Sequence, residues 1–105
     1  MGGQSLYLIF DHGAPGPTGI TCSADGYLPP TVEWTRGNGR GLPSGILQQS
    51  TPSSNGNAAV ELRWQRVMEF TDSGSYVCRA FNVNGTDSAS LELLVQSEYM
   101  VPMHV

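Results

Sequence analysis

Apolar and polar residues alternate along much of the chain, which predicts a series of short β-strands. An apolar side chain at every second position is the period of a strand with one face in a core. The apolar positions that share a predicted inner face are Ile20, Cys22 and Ala24; Val32 and Trp34; Val60, Leu62 and Trp64; Tyr76, Cys78 and Ala80; and Leu91, Leu93 and Val95. These sets predict strands over 19–24, 31–35, 58–67 and 74–81, with a last one around 91–95.

The remaining segments read as a first strand, loops and a tail. Ser5–Phe10 is rich in β-forming residues and predicts a strand, which a cluster of Gly and Pro then ends. Residues 36–57 are rich in Gly, Ser, Asn, Gln and Pro, and we expect two irregular loops there around one short strand near Gly45–Gln48. Alternation stops at about Gln96. We therefore assign 1–4 to an expression start or linker, 5–97 to one domain and 98–105 to a linker or tail.

Length and charge limit the number of domains and the classes of partner that the chain can have. A chain of 105 residues has the common size of a single domain, and a net charge of -4 argues against a surface that binds nucleic acid. No apolar run approaches the length of roughly 20 residues that a membrane span needs, so we expect no direct membrane insertion by this segment. The 13 Gly and 7 Pro suit many turns between short strands.

The segment Thr71–Cys78 carries the most specific motif, Asp-x-Gly-x-Tyr-x-Cys. Together with Cys22 and Trp34 it resembles the immunoglobulin superfamily, in which a tyrosine two residues before the second cysteine forms a tyrosine corner. The run Cys22-x-x-x-Gly-x-x-x-Pro-x-Val-x-Trp34, and Cys78-x-Ala-x-Asn-x-x-Gly85 after it, resemble intermediate-set domains of adhesion molecules and of receptors, including receptor tyrosine kinases. The resemblance implies an all-β immunoglobulin-like sandwich of two antiparallel sheets with one inter-sheet disulfide.

The two cysteines, Cys22 and Cys78, are open to three interpretations: a disulfide, two buried thiols, or part of a metal site. Zinc would need four ligands, and only His12 and His104 could supply the others. The resemblance favours the disulfide, which would stabilise the fold by about 4 kcal/mol through loop entropy and would imply an oxidising compartment.

The resemblance also assigns structural roles to core positions, namely Trp34, Leu62, Asp72, Gly74 and Tyr76. We expect the Tyr76 hydroxyl to bond backbone in the turn before its strand. Asp72 is expected to pair with Arg63 or Arg36, or alternatively to cap local N–H groups. Trp64 departs from the family, which usually has an aliphatic residue there, so the packing beneath this turn is open.

The outward side chains of the strands around Cys78 are the candidate protein-binding face. If Tyr76, Cys78 and Ala80 point inward, their neighbours point outward. The face would comprise Glu33, Val77, Arg79, Phe81 and Leu94. Apolar residues around one Arg suit a protein interface, and a Glu33–Arg79 pair across two strands would add a little stability. The alternative is a surface with ordinary scattered apolar residues.

Asn84 is a candidate glycosylation site in the sequon Asn84-Gly85-Thr86. The same Asn-Gly pair is a hairpin signal because both central positions of such a turn take positive φ. A hairpin turn without a glycan would therefore account for Asn84 and Gly85 equally well.

Three function classes follow from the resemblance. The first is an extracellular recognition module of a cell-adhesion molecule or receptor ectodomain, which binds a protein partner, a second copy of itself or neighbouring immunoglobulin domains. The second is an intracellular spacer of the titin type, with reduced cysteines, and the third is a soluble immune domain. We expect no enzymatic activity and no cofactor, since the Gly-rich segment Arg36–Gly41 lacks the spacing of a phosphate loop and Asp11-His12 has no catalytic context.

Overall fold

A computed structural model describes residues 5–26, 30–54 and 57–97. Its strands are β1 (Ser5–Asp11), β2 (Thr18–Asp25), β3 (Thr31–Arg36), β4 (Ile46–Ser54), β5 (Asn57–Trp64), β6 (Gly74–Asn82) and β7 (Gly85–Gln96). A 3₁₀ turn, η1 (Phe70–Asp72), connects β5 to β6, and no helix within these residues is long and apolar enough to cross a membrane. The segments 1–4 and 98–105, assigned above to linkers, lie outside the described residues.

The strands form two packed sheets, as predicted. One has the order β1-β7-β6-β3 and the other the order β2-β5-β4. All strand pairs are antiparallel except β1–β7, which is parallel, with Ser5 opposite Ser90 and Asp11 opposite Gln96. The disulfide Cys22–Cys78 joins β2 to β6 and so ties the two sheets together.

The inner faces predicted from alternation make the core. Buried side chains come from six strands, β2 to β7, and those under 2% exposed include Leu62, Val60, Tyr76, Cys78 and Leu91. Trp34 packs at 6% exposure and donates from Nε1 to the Val60 carbonyl at 3.2 Å, so its polar atom is satisfied inside the sandwich. Burying one face of each strand removes the apolar side chains from water, which is the main term that stabilises the fold.

Three local predictions differ from the structure. The short strand near Gly45–Gln48 is the nine-residue β4, whose polar residues hid its extent. The strand predicted over 58–67 ends at Trp64. Asn82 is the partner of Gly85 in the β6–β7 hairpin, so the two central residues are Val83 and Asn84, one position before the predicted Asn-Gly pair.

Gln48 closes the outer edge of β3. Its Oε1 accepts from the Trp34 N–H at 2.9 Å, and its Nε2 donates to the Trp34 carbonyl at 3.2 Å. Gln48 belongs to β4 in the opposite sheet. One amide side chain thus satisfies both backbone groups of an edge-strand residue and links the sheets.

Candidate functional site

The corner between β5 and β6, residues 65–73, is held by the predicted tyrosine corner. The Tyr76 hydroxyl donates to the Asp72 carbonyl at 2.6 Å, and the side chain is fully buried. Burial raises the pKa of Tyr76 to about 12, against a lowering by the charge of Arg36 and a further raising by Asp72. The phenol therefore stays neutral and holds the turn. We call this segment, with Trp64 and Tyr76, the β5–β6 corner.

The partner of Asp72 is neither of the two arginines that the sequence suggested. Arg66 binds it with both terminal nitrogens, Nη2 to Oδ1 at 2.7 Å and Nη1 to Oδ2 at 2.8 Å. The Glu69 backbone N–H and Trp64 Nε1 also donate to Oδ2, at 2.9 and 3.2 Å. The expectation of Arg63 or Arg36 was wrong, because the cation comes from the corner itself, whereas the alternative of a local N–H cap is also realised.

Burial would raise the pKa of the Asp72 carboxyl, but its partners prevail. Hydrogen bonds from Arg66, from the Glu69 backbone and from Trp64 hold the pKa below its ordinary value. Among the side chains that the structure describes, no buried polar atom lacks a partner. Trp64, the residue that departs from the family, supplies one of these bonds, which is the reason a tryptophan fits there.

The two rejected arginines have other contacts. Arg36 lies over the Tyr76 ring at 4.9 Å and donates to the Ser73 carbonyl at 3.0 Å. Gly74 has a φ of +140°, a conformation that favours glycine, and a β-carbon there would also displace Nη2 of Arg36, which would lie 2.8 Å away. Arg63 donates to Gln49 and pairs with Glu61 at 3.4 Å on the outer face of the other sheet.

The candidate binding residues lie on the outer face of the β3–β6–β7 part of the first sheet. Glu33 is opposite Arg79 in register, and Phe81 follows on the same side of β6. The Arg79 guanidinium lies 5.8 Å from the Phe81 ring centroid. The ion pairs of the described residues do not include Glu33 with Arg79, so both charges face solvent without an ionic partner.

Leu94 does not join this group. Phe81 is opposite Thr86, and Leu94 is eight residues further along β7, roughly 26 Å away at the rise of a strand. Its neighbour across the sheet is Ile9 of β1. The structure thus brings together Glu33, Arg79 and Phe81, with Val77 beside them, and we call these four residues the Arg79 face.

Strand β1 adds exposed apolar residues that the sequence reasoning missed. Tyr7 is 60% exposed and Ile9 is 52% exposed, on the same outer side of the sheet as Leu94. Ser5–Phe10 has an apolar run rather than alternation, so no sequence signal separated its inward from its outward positions. Only the register with β7 does so.

Asn84 is at the tip of the β6–β7 hairpin, and its side chain is exposed. Its N–H donates to Oδ1 of Asn82 at 2.8 Å, which fixes the turn through an Asx-type bond. The hairpin thus presents the sequon asparagine to solvent, next to the Phe81 end of the Arg79 face.

Comparisons with known proteins agree with this architecture. Residues 16–82 match the family described as Immunoglobulin domain. Vascular cell adhesion protein 1 of Canis lupus familiaris is 35% identical over 79% of the chain and 10% of its own length. Cell adhesion molecule DSCAML1 of Homo sapiens is 37% identical over 81% of the chain and 4% of its own length.

A solved structure of a complex that contains a titin domain has the same fold. The complex titled Titin M10-Obscurin like 1 Ig has a TM-score of 0.62 and 25% identity, and the match covers 92% of this chain and 91% of that one. The chain spans a tenth or less of the two adhesion proteins that it matches. With a matched family over more than half of its length, the predicted sandwich and the tyrosine corner, the chain belongs to the immunoglobulin domain family.

Proposed function

We propose that the chain is an extracellular recognition module that binds a protein partner through the Arg79 face. The observation that carries this is the composition of that face: an exposed Arg beside a half-buried aromatic ring, an acid opposite the Arg, and no ionic contact between the two charges. Arg and aromatic residues are enriched at protein interfaces, and a charge without an internal partner remains available to an opposite charge on another molecule.

Three further observations support an extracellular setting. The disulfide Cys22–Cys78 requires an oxidising compartment to persist. The relatives named above include two cell-adhesion proteins. The sequon at Asn84 is exposed, and a glycan there would mark a secreted chain.

The intracellular spacer is the second candidate, and the structural likeness to a titin domain favours it. The two candidates differ in the redox state of Cys22 and Cys78. Intact mass of the chain from its native source, alkylated under air-free conditions, should show an unmodified, oxidised pair for an extracellular module. Two alkylated thiols would support the spacer.

Binding is tested with a multivalent form of the chain against a panel of cell-surface ectodomains. We expect wild type to capture at least one ectodomain, and Arg79→Glu to lose it through charge reversal at the face. The matched control is Arg63→Glu, the same charge change on the outer face of the other sheet. Equal capture by Arg79→Glu, loss only with Arg63→Glu, or no capture by wild type would each contradict the proposal.

A further inference from the structure

Strand β1 leaves an open edge on the four-stranded sheet. Among the described residues it pairs with β7 alone, and Leu6, Tyr7 and Ile9 are 55%, 60% and 52% exposed. Its seven residues include no Lys, Pro or Gly, and the single charge is Asp11 at the end. Proteins usually protect a long apolar edge with charges, Pro or a covering side chain, since an open one can pair with another strand.

The free backbone groups of β1 can be assigned from one hydrogen bond. His12 donates its N–H to the Gln96 carbonyl at 2.7 Å, toward β7. Because successive N–H groups of a strand point to opposite sides, the backbone groups of Leu6, Leu8 and Phe10 also point toward β7. The N–H and C=O groups of Tyr7 and Ile9 therefore point away from the sheet.

The opposite edge of the same sheet is protected. On β3 the Gln48 amide occupies both backbone groups of Trp34, and Glu33 and Arg36 place charges along the strand. The two edges thus differ in chemistry: β3 resists the addition of a strand, whereas β1 offers apolar side chains and peptide groups that have no partner within the part of the chain that the structure describes.

We propose that β1 pairs antiparallel with β1 of a second copy of this chain, about a two-fold axis at Leu8. This goes beyond the recognition function, which uses a different surface. An antiparallel pair of identical strands is self-complementary under two-fold symmetry. The pairing would extend the four-stranded sheet into one of eight strands across two molecules.

Backbone direction and charge select the register. In a narrow hydrogen-bonded pair the two opposing residues exchange both bonds, so the outward-facing Tyr7 must oppose another outward-facing residue. Centring on Leu8 places Tyr7 opposite the partner's Ile9, an aromatic–β-branched pair of the kind that stabilises sheets. The same register places Asp11 opposite the partner's Ser5, so the two acids of the strands do not meet.

Charge also favours a second copy at this edge over contacts between charged surfaces of two copies. The chain carries a net charge of -4, so two copies repel each other over most of their surfaces. Ser5–Phe10 is uncharged, so two copies can meet at this edge without placing like charges together. A single strand pair buries less area than a stable interface, so the dimer is weak, with a Kd of about 1 μM or higher.

Sedimentation of the 105-residue chain tests the pairing. We expect wild type to dimerise reversibly at protein concentrations below about 1 mM. Ile9→Pro should weaken association at least about tenfold, since proline removes a backbone N–H that points away from β7 and is not bonded to it. Ile9→Thr, which keeps the N–H and the β-branch, is the matched control and should still dimerise. Near-ultraviolet circular dichroism confirms that Ile9→Pro remains folded.

A crosslinking experiment tests the register independently of the proline variant. Tyr7→Cys mixed with Ile9→Cys should give a disulfide-linked heterodimer by intact mass, at least about tenfold more than either variant alone, because these positions oppose each other. Equal crosslinking of Tyr7→Cys with itself would overturn the register.

Other outcomes would overturn the pairing itself. These are a wild type that stays monomeric throughout, or a folded Ile9→Pro that associates as well as wild type. Arg79→Glu should dimerise normally, so loss of dimers in that variant would assign self-association to the Arg79 face and contradict pairing through β1. Failure of the ectodomain screen leaves this result unchanged, since the two surfaces are separate.

Discussion

The β5–β6 corner and the edge of β1 are neighbours that differ in whether their polar groups are hydrogen-bonded within the domain. Phe70 of the corner stacks on His12, the residue after β1, with ring centroids 4.2 Å apart. In the corner the Asp72 carboxylate receives donors from Arg66, Glu69 and Trp64. At the edge the peptide groups of Tyr7 and Ile9 point away from β7. Polar groups that are hydrogen-bonded inside the corner stabilise the fold, whereas the peptide groups at the edge are available to a second molecule. Stability and association should therefore respond to different substitutions.

The largest effect on stability is expected from removing the Asp72 carboxylate from the β5–β6 corner. Asp72→Ala removes the acceptor of Arg66, Trp64 and the Glu69 N–H, and should lower the free energy of unfolding by about 3–5 kcal/mol. Urea denaturation measures the change. Arg63→Ala is the control, because it breaks only exposed contacts, with Glu61 and Gln49, and should cost about 1 kcal/mol or less. Similar losses for both variants would contradict a special role for the corner.

An intermediate effect is expected from opening the protected edge of β3. Gln48→Ala leaves the N–H and C=O of Trp34 without their amide partner, which should cost about 1–3 kcal/mol in urea denaturation. Gln49→Ala is the matched control on the next residue, whose side chain accepts only from exposed Arg63. If Gln48→Ala unfolds at the same urea concentration as Gln49→Ala, the Gln48 amide contributes nothing to the edge.

The pH dependence sharpens the contrast, since the corner contains groups with shifted pKa values. The pKa of Asp72 is lowered in the fold, so its stabilisation is present above the ordinary value of 3.8 and is lost as the pH falls below that value. Asp72→Asn should flatten this acid limb in thermal unfolding measured across pH. The Tyr76 pKa is raised to about 12, so stability should also fall from about pH 10 to about 12, and this alkaline limb should persist in Asp72→Asn.

The smallest effect on stability is expected at the open surfaces. Tyr7→Lys and Arg79→Glu change exposed side chains and should shift the free energy of unfolding by no more than about 0.5 kcal/mol. Tyr7→Lys should nevertheless reduce dimerisation, and Arg79→Glu should reduce ectodomain capture. A large loss of stability in either would show that these surfaces also hold the fold.

Alternation predicted the parts of the fold in which one face is buried and the other is not. The inward sets on β2, β3, β5, β6 and β7 and the disulfide follow from that pattern and from the family motif. Alternation is absent where both faces of a strand are alike: β4 is largely polar and exposed, and β1 is apolar on both sides. In such strands side-chain polarity carries no information about direction.

The candidate site was predicted less completely than the fold. Strand parity places Glu33, Arg79 and Phe81 outside, but it cannot tell how far apart two outward residues lie, so Leu94 was grouped with them. The Asp72 partner was missed because Arg66 lies in a corner, where no periodicity constrains the chain. Both answers depend on the register between strands and on loop conformation, which are tertiary properties.

The parallel pairing of β1 with β7 has a mechanical consequence. A load applied through Ser5 and Gln96 pulls the two strands along their length in opposite directions, so the hydrogen bonds between them are sheared together rather than opened one by one. If β1 slips, Cys22–Cys78 still fastens the 56-residue span between its ends, and about 190 Å of chain contour cannot extend. Under tension the domain would therefore lengthen by a short, fixed step, which a single-molecule pulling curve would record.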